Sequence, residues 1–133
     1  MIGHQKDAAV VLLVDDDEAK RYLMGTWLRR GGHTVVEAGT GKEALEKAGS
    51  AELILLDVNL PDISGSEVLR RLRSDARTAD IPVVVVSADA TQDRVRHLLA
   101  SGAAAYLTKP IDVVRLMGVI EETMRERRLD HAG

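Results

Sequence analysis

Three consecutive aspartates, Asp15 to Asp17, follow directly on the apolar run Val10–Val14. Like charges held so close repel one another, so a chain that gathers them at the end of a buried-type segment has a use for their field, and a cation is the use that fits. Further along, Asp57 follows the run Leu53–Leu56, Ser87 follows Ile81–Val86, and Thr108, Lys109 and Pro110 follow Ala104–Leu107. Carboxylates from two strand ends, with a backbone carbonyl and waters, make the oxygen-rich site that Mg2+ accepts. Lys109 supplies a second cation and Ser87 a hydroxyl donor, which together suit a phosphoryl group with several charged oxygens. Asp57 is then a candidate nucleophile, because a carboxylate can take up a phosphoryl group as an acyl phosphate.

These residues meet only if the runs that precede them are parallel strands ending at one edge of a sheet. Five short runs, Val10–Val14, Thr34–Glu37, Leu53–Leu56, Ile81–Val86 and Ala104–Leu107, alternate with segments of helical periodicity. That alternation predicts a doubly wound α/β domain, (βα)5, with its functional crevice beyond the carboxyl ends of the strands. Ala19, Leu23 and Trp27, with Leu28 beside them, predict a first helix that stops at Gly31-Gly32. Thr40 with Glu43 and Ser64 with Glu67 are capping boxes for the second and third helices, the second ending near Gly49 and the third carrying Val68, Leu69 and Leu72. Val95, Leu98 and Leu99 predict a fourth helix ending at Gly102, and Asp112 caps a fifth that carries Val113, Leu116, Met117, Ile120 and Met124.

The totals bound the rest. A chain of 133 residues, 45% hydrophobic and 29% charged, fits one globular domain, expected over residues 10–126 with tails at 1–9 and 127–133. With no Phe, and only Tyr22, Trp27 and Tyr106 aromatic, its core must be aliphatic. A net charge of −3 gives no general attraction to nucleic acid, and Arg125–Arg128 reads as solvated cations at a helix end. No cysteine, no apolar run of membrane-spanning length and no signal-peptide core in Met1–Ala9 together lead to the expectation of a cytoplasmic protein without a membrane or direct nucleic-acid partner. His4, His33, His97 and His131 are expected at the surface.

Four stretches, "VLLVDDD", "LILLDVNLPDISG", "VVVVSA" and "AYLTKPID", carry a resemblance that runs from about Val10 to Met124: the chain resembles the receiver domains of two-component signalling, chemotaxis-regulator-like and single-domain. The resemblance implies a flavodoxin-like five-stranded parallel sheet of order 2-1-3-4-5. It implies Asp57 as phosphoacceptor and Asp15 and Asp16 as the acidic pair, Asp16 being favoured as the direct ligand of Mg2+ or Mn2+, with Asp57 and the Asn59 carbonyl completing the metal site. Lys109 and Ser87 then act with Asp57 in phosphoryl transfer. Ser87 and Tyr106 form the switch, Pro110 is a cis-proline candidate, and Asn59 and Asp89 tune dephosphorylation. The phosphoryl donor implied is a sensor histidine kinase or a histidine phosphotransfer protein. The reader is a downstream protein that recognises the face of helix four, strand five and helix five, a face that can also form a homodimer. Such a domain is a self-modifying signalling module rather than an enzyme. No output domain fits after the fifth helix, and the chain could equally be a free regulator or the receiver of a hybrid histidine kinase.

Each residue has a plainer reading. Asp15 to Asp17 could only cap a helix, but three exceed what capping needs; Ser87 could be a cap, Lys109 a solvated turn lysine and Tyr106 a space-filler. Rival functions are a haloacid-dehalogenase-type phosphatase, which would use Asp15 and Asp17, a flavodoxin-like electron carrier, whose cofactor phosphate the carboxylates would repel, and a pseudo-receiver that binds protein without cycling phosphate.

Overall fold

The computed structural model describes residues 8–89 and 91–132, with side chains through residue 129. In chain order the elements are β1 (Val10–Val14), α1 (Glu18–Arg30), β2 (Thr34–Ala38), α2 (Gly41–Lys47), a 3-10 turn (Ala48–Ser50), β3 (Leu53–Asp57), α3 (Gly65–Ser74), β4 (Val83–Ser87), α4 (Gln92–Ala100), β5 (Ala105–Thr108) and α5 (Val113–Ala132). All strand pairs are parallel, in the order β2-β1-β3-β4-β5. This is the flavodoxin-like sheet that the resemblance implies.

The central strands have near-continuous apolar sequences because both of their faces are covered. Alternate residues divide between two aliphatic cores: Leu12, Val14, Ile54, Leu56, Val83 and Val85 enter one, while Val11, Leu13, Leu55, Val84 and Val86 enter the other. The strand period of two makes that division, and truncating one of these leucines to alanine costs about 2–5 kcal/mol.

Helix starts follow side-chain caps. Thr40 and Ser64 accept the N–H groups of Glu43 and Glu67 as expected, while Thr91, unforeseen, does the same for Arg94. Gly32 and Gly102, with φ of 94° and 109°, make the turns after α1 and α4. Several expectations need correcting. The buried stripe of α1 is Met24, Gly25 and Leu28, not Ala19 and Leu23, of which Leu23 is 49% exposed. The apolar positions of α1 span a broad arc, and the sheet takes only the side carrying Met24 and Leu28, leaving Leu23 on the helix's flank. α5 continues to Ala132, past the expected domain edge at 126, so Arg125–Arg128 lies inside a helix, and Arg127 donates to the Glu52 carbonyl at 2.7 Å. His33 is buried, and its Nδ1 accepts the Ala9 N–H at 3.0 Å, which also ties Ala9 of the expected tail into the domain. His97 is exposed; His4 and the His131 side chain lie outside the described residues.

Candidate functional site

Strand register brings the predicted residues together. Val14 pairs with Leu56, Asp57 with Val86, and Ser87 with Thr108, so the residues that follow β1, β3, β4 and β5 emerge side by side at one edge. Asp15, Asp57 and Ser87 are 4%, 3% and 2% exposed, while Asp16 stands in solvent. Each of Asp15, Asp16 and Asp57 offers a carboxylate oxygen within 4.8 Å of the others. Lys109 closes the group, its Nζ donating to Asp57 Oδ2 at 2.6 Å. The other Asp57 oxygen, Oδ1, accepts the Asn59 N–H at 2.9 Å, which holds the start of the loop after β3 against the carboxylate.

The third aspartate has a different task. Asp17 caps α1, its Oδ1 accepting the N–H groups of Ala19 and Lys20 at 3.0 and 3.2 Å, and its own N–H is donated to Asp15 Oδ1 at 2.9 Å. The capping reading thus holds for one carboxylate of the three, and that engagement removes Asp17 from the pairing a dehalogenase-type phosphatase would require.

Electrostatics define what the cluster lacks. Burial, the largest cause, pushes the Asp15 carboxyl above its ordinary value; the Asp17 amide opposes this, the charges of Asp57 and Asp16 add to it, and Lys109 subtracts. Two carboxylates so spaced repel by about 3 kcal/mol at the effective dielectric of a protein surface. Three carboxylates against one ammonium leave two formal negative charges, which a divalent ion matches. Oxygen donors in a tight group, two of them buried, fit a hard cation such as Mg2+.

Ser87 Oγ is buried beside this group and accepts the Asp89 N–H at 3.1 Å. The Tyr106 hydroxyl donates to the Asp89 carbonyl, and the half-buried ring packs on the aliphatic core. Backbone groups of Asp89 therefore join Ser87 to Tyr106. The Asp89 side chain is turned elsewhere: its Oδ1 accepts the Thr91 N–H at 3.0 Å, and this amide, followed by the Thr91 hydroxyl, lowers the carboxyl's pKa. The Lys109-Pro110 peptide is cis.

Two residues beside the site carried no sequence signal. Arg21 Nη1 donates to the Asp15 carbonyl at 2.6 Å, and Asp62, in the loop after β3, accepts the Gly41 and Lys42 N–H groups at 2.8 and 2.9 Å. Both contacts depend on the docking of separate elements, which neither spacing nor composition encodes.

A parallel sheet of this order, with carboxylates and a lysine meeting at its carboxyl edge, defines a class of doubly wound α/β domains with an acidic crevice. The pattern of the response regulator receiver domain matches residues 11–121. The polar-differentiation response regulator DivK of Brucella ovis is 34% identical over 113 residues, covering 84% of this chain and 92% of DivK. The DNA-binding dual master transcriptional regulator RpaA of Synechocystis is 39% identical over 118 residues, covering 86% of this chain, which spans about half (48%) of RpaA. Among solved structures, a CheY-like receiver domain protein from Methanospirillum hungatei JF-1 superposes with a TM-score of 0.84 at 29% identity, over 91% of this chain and 97% of that one. The receiver domain of the sensor histidine kinase PA1611 from Pseudomonas aeruginosa, with magnesium coordinated in its active-site cleft, superposes with a TM-score of 0.79 at 26% identity, over 86% and 96% of the two chains. The chain belongs to the response regulator receiver domain family and is a CheY-like phosphoacceptor module of two-component signalling. Among the described residues no helix is long and apolar enough to cross a membrane.

Proposed function

We propose that Asp57 is the residue that accepts the phosphoryl group, drawn from a phosphohistidine on a sensor histidine kinase or a phosphotransfer protein. The observation that carries this reading is the position of Asp57: buried at a strand end, bonded to Lys109 through one oxygen, and within reach of two further carboxylates. Asp15, Asp16, Asp57 and the Asn59 carbonyl would hold Mg2+, or Mn2+, whose charge offsets that of the incoming phosphoryl oxygens. Asp57 attacks phosphorus through a carboxylate oxygen, the bond from phosphorus to the donor nitrogen breaks, and that nitrogen leaves with the electron pair. Lys109 orients the acceptor and pairs with the phosphoryl charge, and the Ser87 hydroxyl donates to a phosphoryl oxygen.

That donation draws Ser87 and its loop in toward Asp57. The Asp89 backbone, bonded to both Ser87 and Tyr106, moves with it, and the surface of α4, β5 and α5 changes for a downstream partner. Leu99, Val113 and Val114, exposed by 43%, 36% and 75%, supply apolar area on α4 and α5 for that partner or for a second copy. A cavity of about 530 Å3 between α1 and the loop after β5, lined by Leu23, Met24, Trp27, Lys109, Pro110 and Ile111 among others, opens beside the site and gives a phosphodonor an apolar seat. Exposed Asn59, with polar Asp89 two residues past Ser87, admits water and shortens the life of the acyl phosphate; a phosphorylated protein that lasts for days at neutral pH would overturn this tuning role. The module works in the cytoplasm, where such donors reside, and does not act as a turnover enzyme.

Incubation with acetyl phosphate, with and without Mg2+, followed by mass-spectrometric mapping tests the assignment. Label is expected at Asp57 only when the metal is present, and none is expected in Asp57→Asn. Label at Asp15 would turn the reading toward a phosphatase, and no label on any residue would leave a phosphate-independent binding module.

A further inference from the structure

Asp15 and Asp16 sit on the turn between β1 and α1, and a side chain of α1 holds that turn from outside. We propose that Arg21 is a positioning residue for the Asp15–Asp16 pair, so that Mg2+ affinity depends on a guanidinium of α1 clamped by Glu37 of β2. The inference rests on the metal reading of the cluster.

Arg21 lies one helical turn after Asp17, yet its side chain reaches back toward the strand and is only 17% exposed. Its Nη1 donates to the Asp15 carbonyl at 2.6 Å while its Nε donates to Glu37 Oε1 at 2.9 Å. Glu37 is itself held, since its Oε2 accepts from Arg29 at 3.2 Å and its carbonyl accepts from Lys47 at 2.6 Å. Burial works against the Glu37 charge, but the bonds from Arg21 and Arg29 outweigh it, and its pKa is lowered. Gly39 leaves the room the guanidinium needs, for a Cβ there would stand 3.3 Å from Arg21 Nη1.

The Asp15 N–H is meanwhile donated to the Ala38 carbonyl at 3.1 Å. Asp15 is therefore gripped at both of its backbone groups by the neighbouring strand's end, once directly and once through Arg21. The carbonyl that Arg21 grips belongs to the peptide leading into Asp16, so the clamp sets the direction from which the exposed Asp16 carboxylate departs. Partners that orient metal ligands are worth about 10–100-fold in metal affinity when removed.

Charge and position predict opposite results. A cation near the acidic group disfavours a second cation, so removing a merely electrostatic Arg21 would tighten Mg2+ binding. Removing a clamp loosens it. Calorimetric titration of the whole chain with Mg2+ at neutral pH, with circular dichroism to confirm folding, separates the two. Arg21→Met is expected to raise the dissociation constant about tenfold or more. Arg21→Lys keeps the charge but cannot span both partners with a planar fork, and is expected to weaken binding by a smaller factor. Should Arg21→Met fail to fold, Arg21→Lys alone decides. Folded variants that bind Mg2+ as tightly as the wild type, or more tightly, overturn the positioning role and leave the metal site standing. A wild-type chain that binds no Mg2+ overturns both.

Discussion

Two kinds of carboxylate occupy this molecule, and they differ in what surrounds them. Asp62 and Glu67 sit at helix N-termini with donors already supplied: Asp62 by the amides of Lys42 and Gly41, Glu67 by the guanidiniums of Arg70 and Arg71. Each is lowered to about 2. Asp15, at the end of β1, is raised instead, because burial and two neighbouring carboxylates outweigh one amide and Lys109. The first kind stabilises the fold; the second stores an electrostatic demand that the protein alone does not meet. A helix end can satisfy an acid with the donors it already presents, whereas acids gathered from two separate chain segments need a cation from outside.

The widest separation between the two groups is expected on adding metal. At a hundred times its dissociation constant, Mg2+ stabilises a folded protein that binds it by about 2.7 kcal/mol. Thermal unfolding of the wild type should shift upward by the corresponding amount, and Asp16→Asn should lose most of that shift while Asp62→Asn keeps it. An equal shift in Asp16→Asn would break the comparison by placing the metal elsewhere.

A smaller effect is expected from Asp62→Ala. It frees the amides that start α2 and releases the loop after β3, so the urea midpoint at neutral pH should fall. Because the folded-state pKa of Asp62 is about 2, below the ordinary 3.8, its contribution is present above pH 3.8 and is lost as the pH falls toward 2. The gap between variant and wild type should close over that window.

The smallest expected effect has the opposite sign. In EDTA, Asp15→Asn should be slightly more stable than the wild type at pH 7. The Asp15 pKa is raised in the folded state, so the wild type keeps its full stability below 3.8 and loses some as the pH climbs through the folded-state value. A variant less stable than the wild type at every pH would show that Asp15 is satisfied without metal and belongs with the capping acids.

Much of the fold was legible because the chain repeats one simple contrast. Apolar runs of five or so residues alternating with helical segments fit strands covered on both faces, and Asp57, Ser87 and Lys109 stand at or just past the ends of such runs. The caps at Thr40 and Ser64 were legible for a similar reason, since cap and accepted amide lie three residues apart, but the return half of each capping box is replaced: Glu43 Oε1 accepts the Gly39 N–H, and Glu67 pairs with Arg70 and Arg71. The phase of α1 was harder to read, because Ala19, Leu23, Met24, Trp27 and Leu28 are all apolar and several stripes fit them equally well. The burial of His33 was not legible, because a lone histidine carries no periodic signal and its Nδ1 partner, the Ala9 N–H, lies 24 residues away in the chain.

By itself, the sequence determined to within a residue where the strands end, and it marked Thr40, Ser64 and Asp112 as side chains that begin helices, since both depend on neighbours a few positions away. Tertiary structure alone decided how three adjacent aspartates divide their work: Asp17 turned to cap α1, while Asp15 and Asp16 joined Asp57 from another strand. It likewise decided that Arg21 reaches the Asp15 carbonyl and that Asp62 holds α2. Those outcomes depend on directions in space, and a side chain's direction is settled only when the surfaces around it have packed.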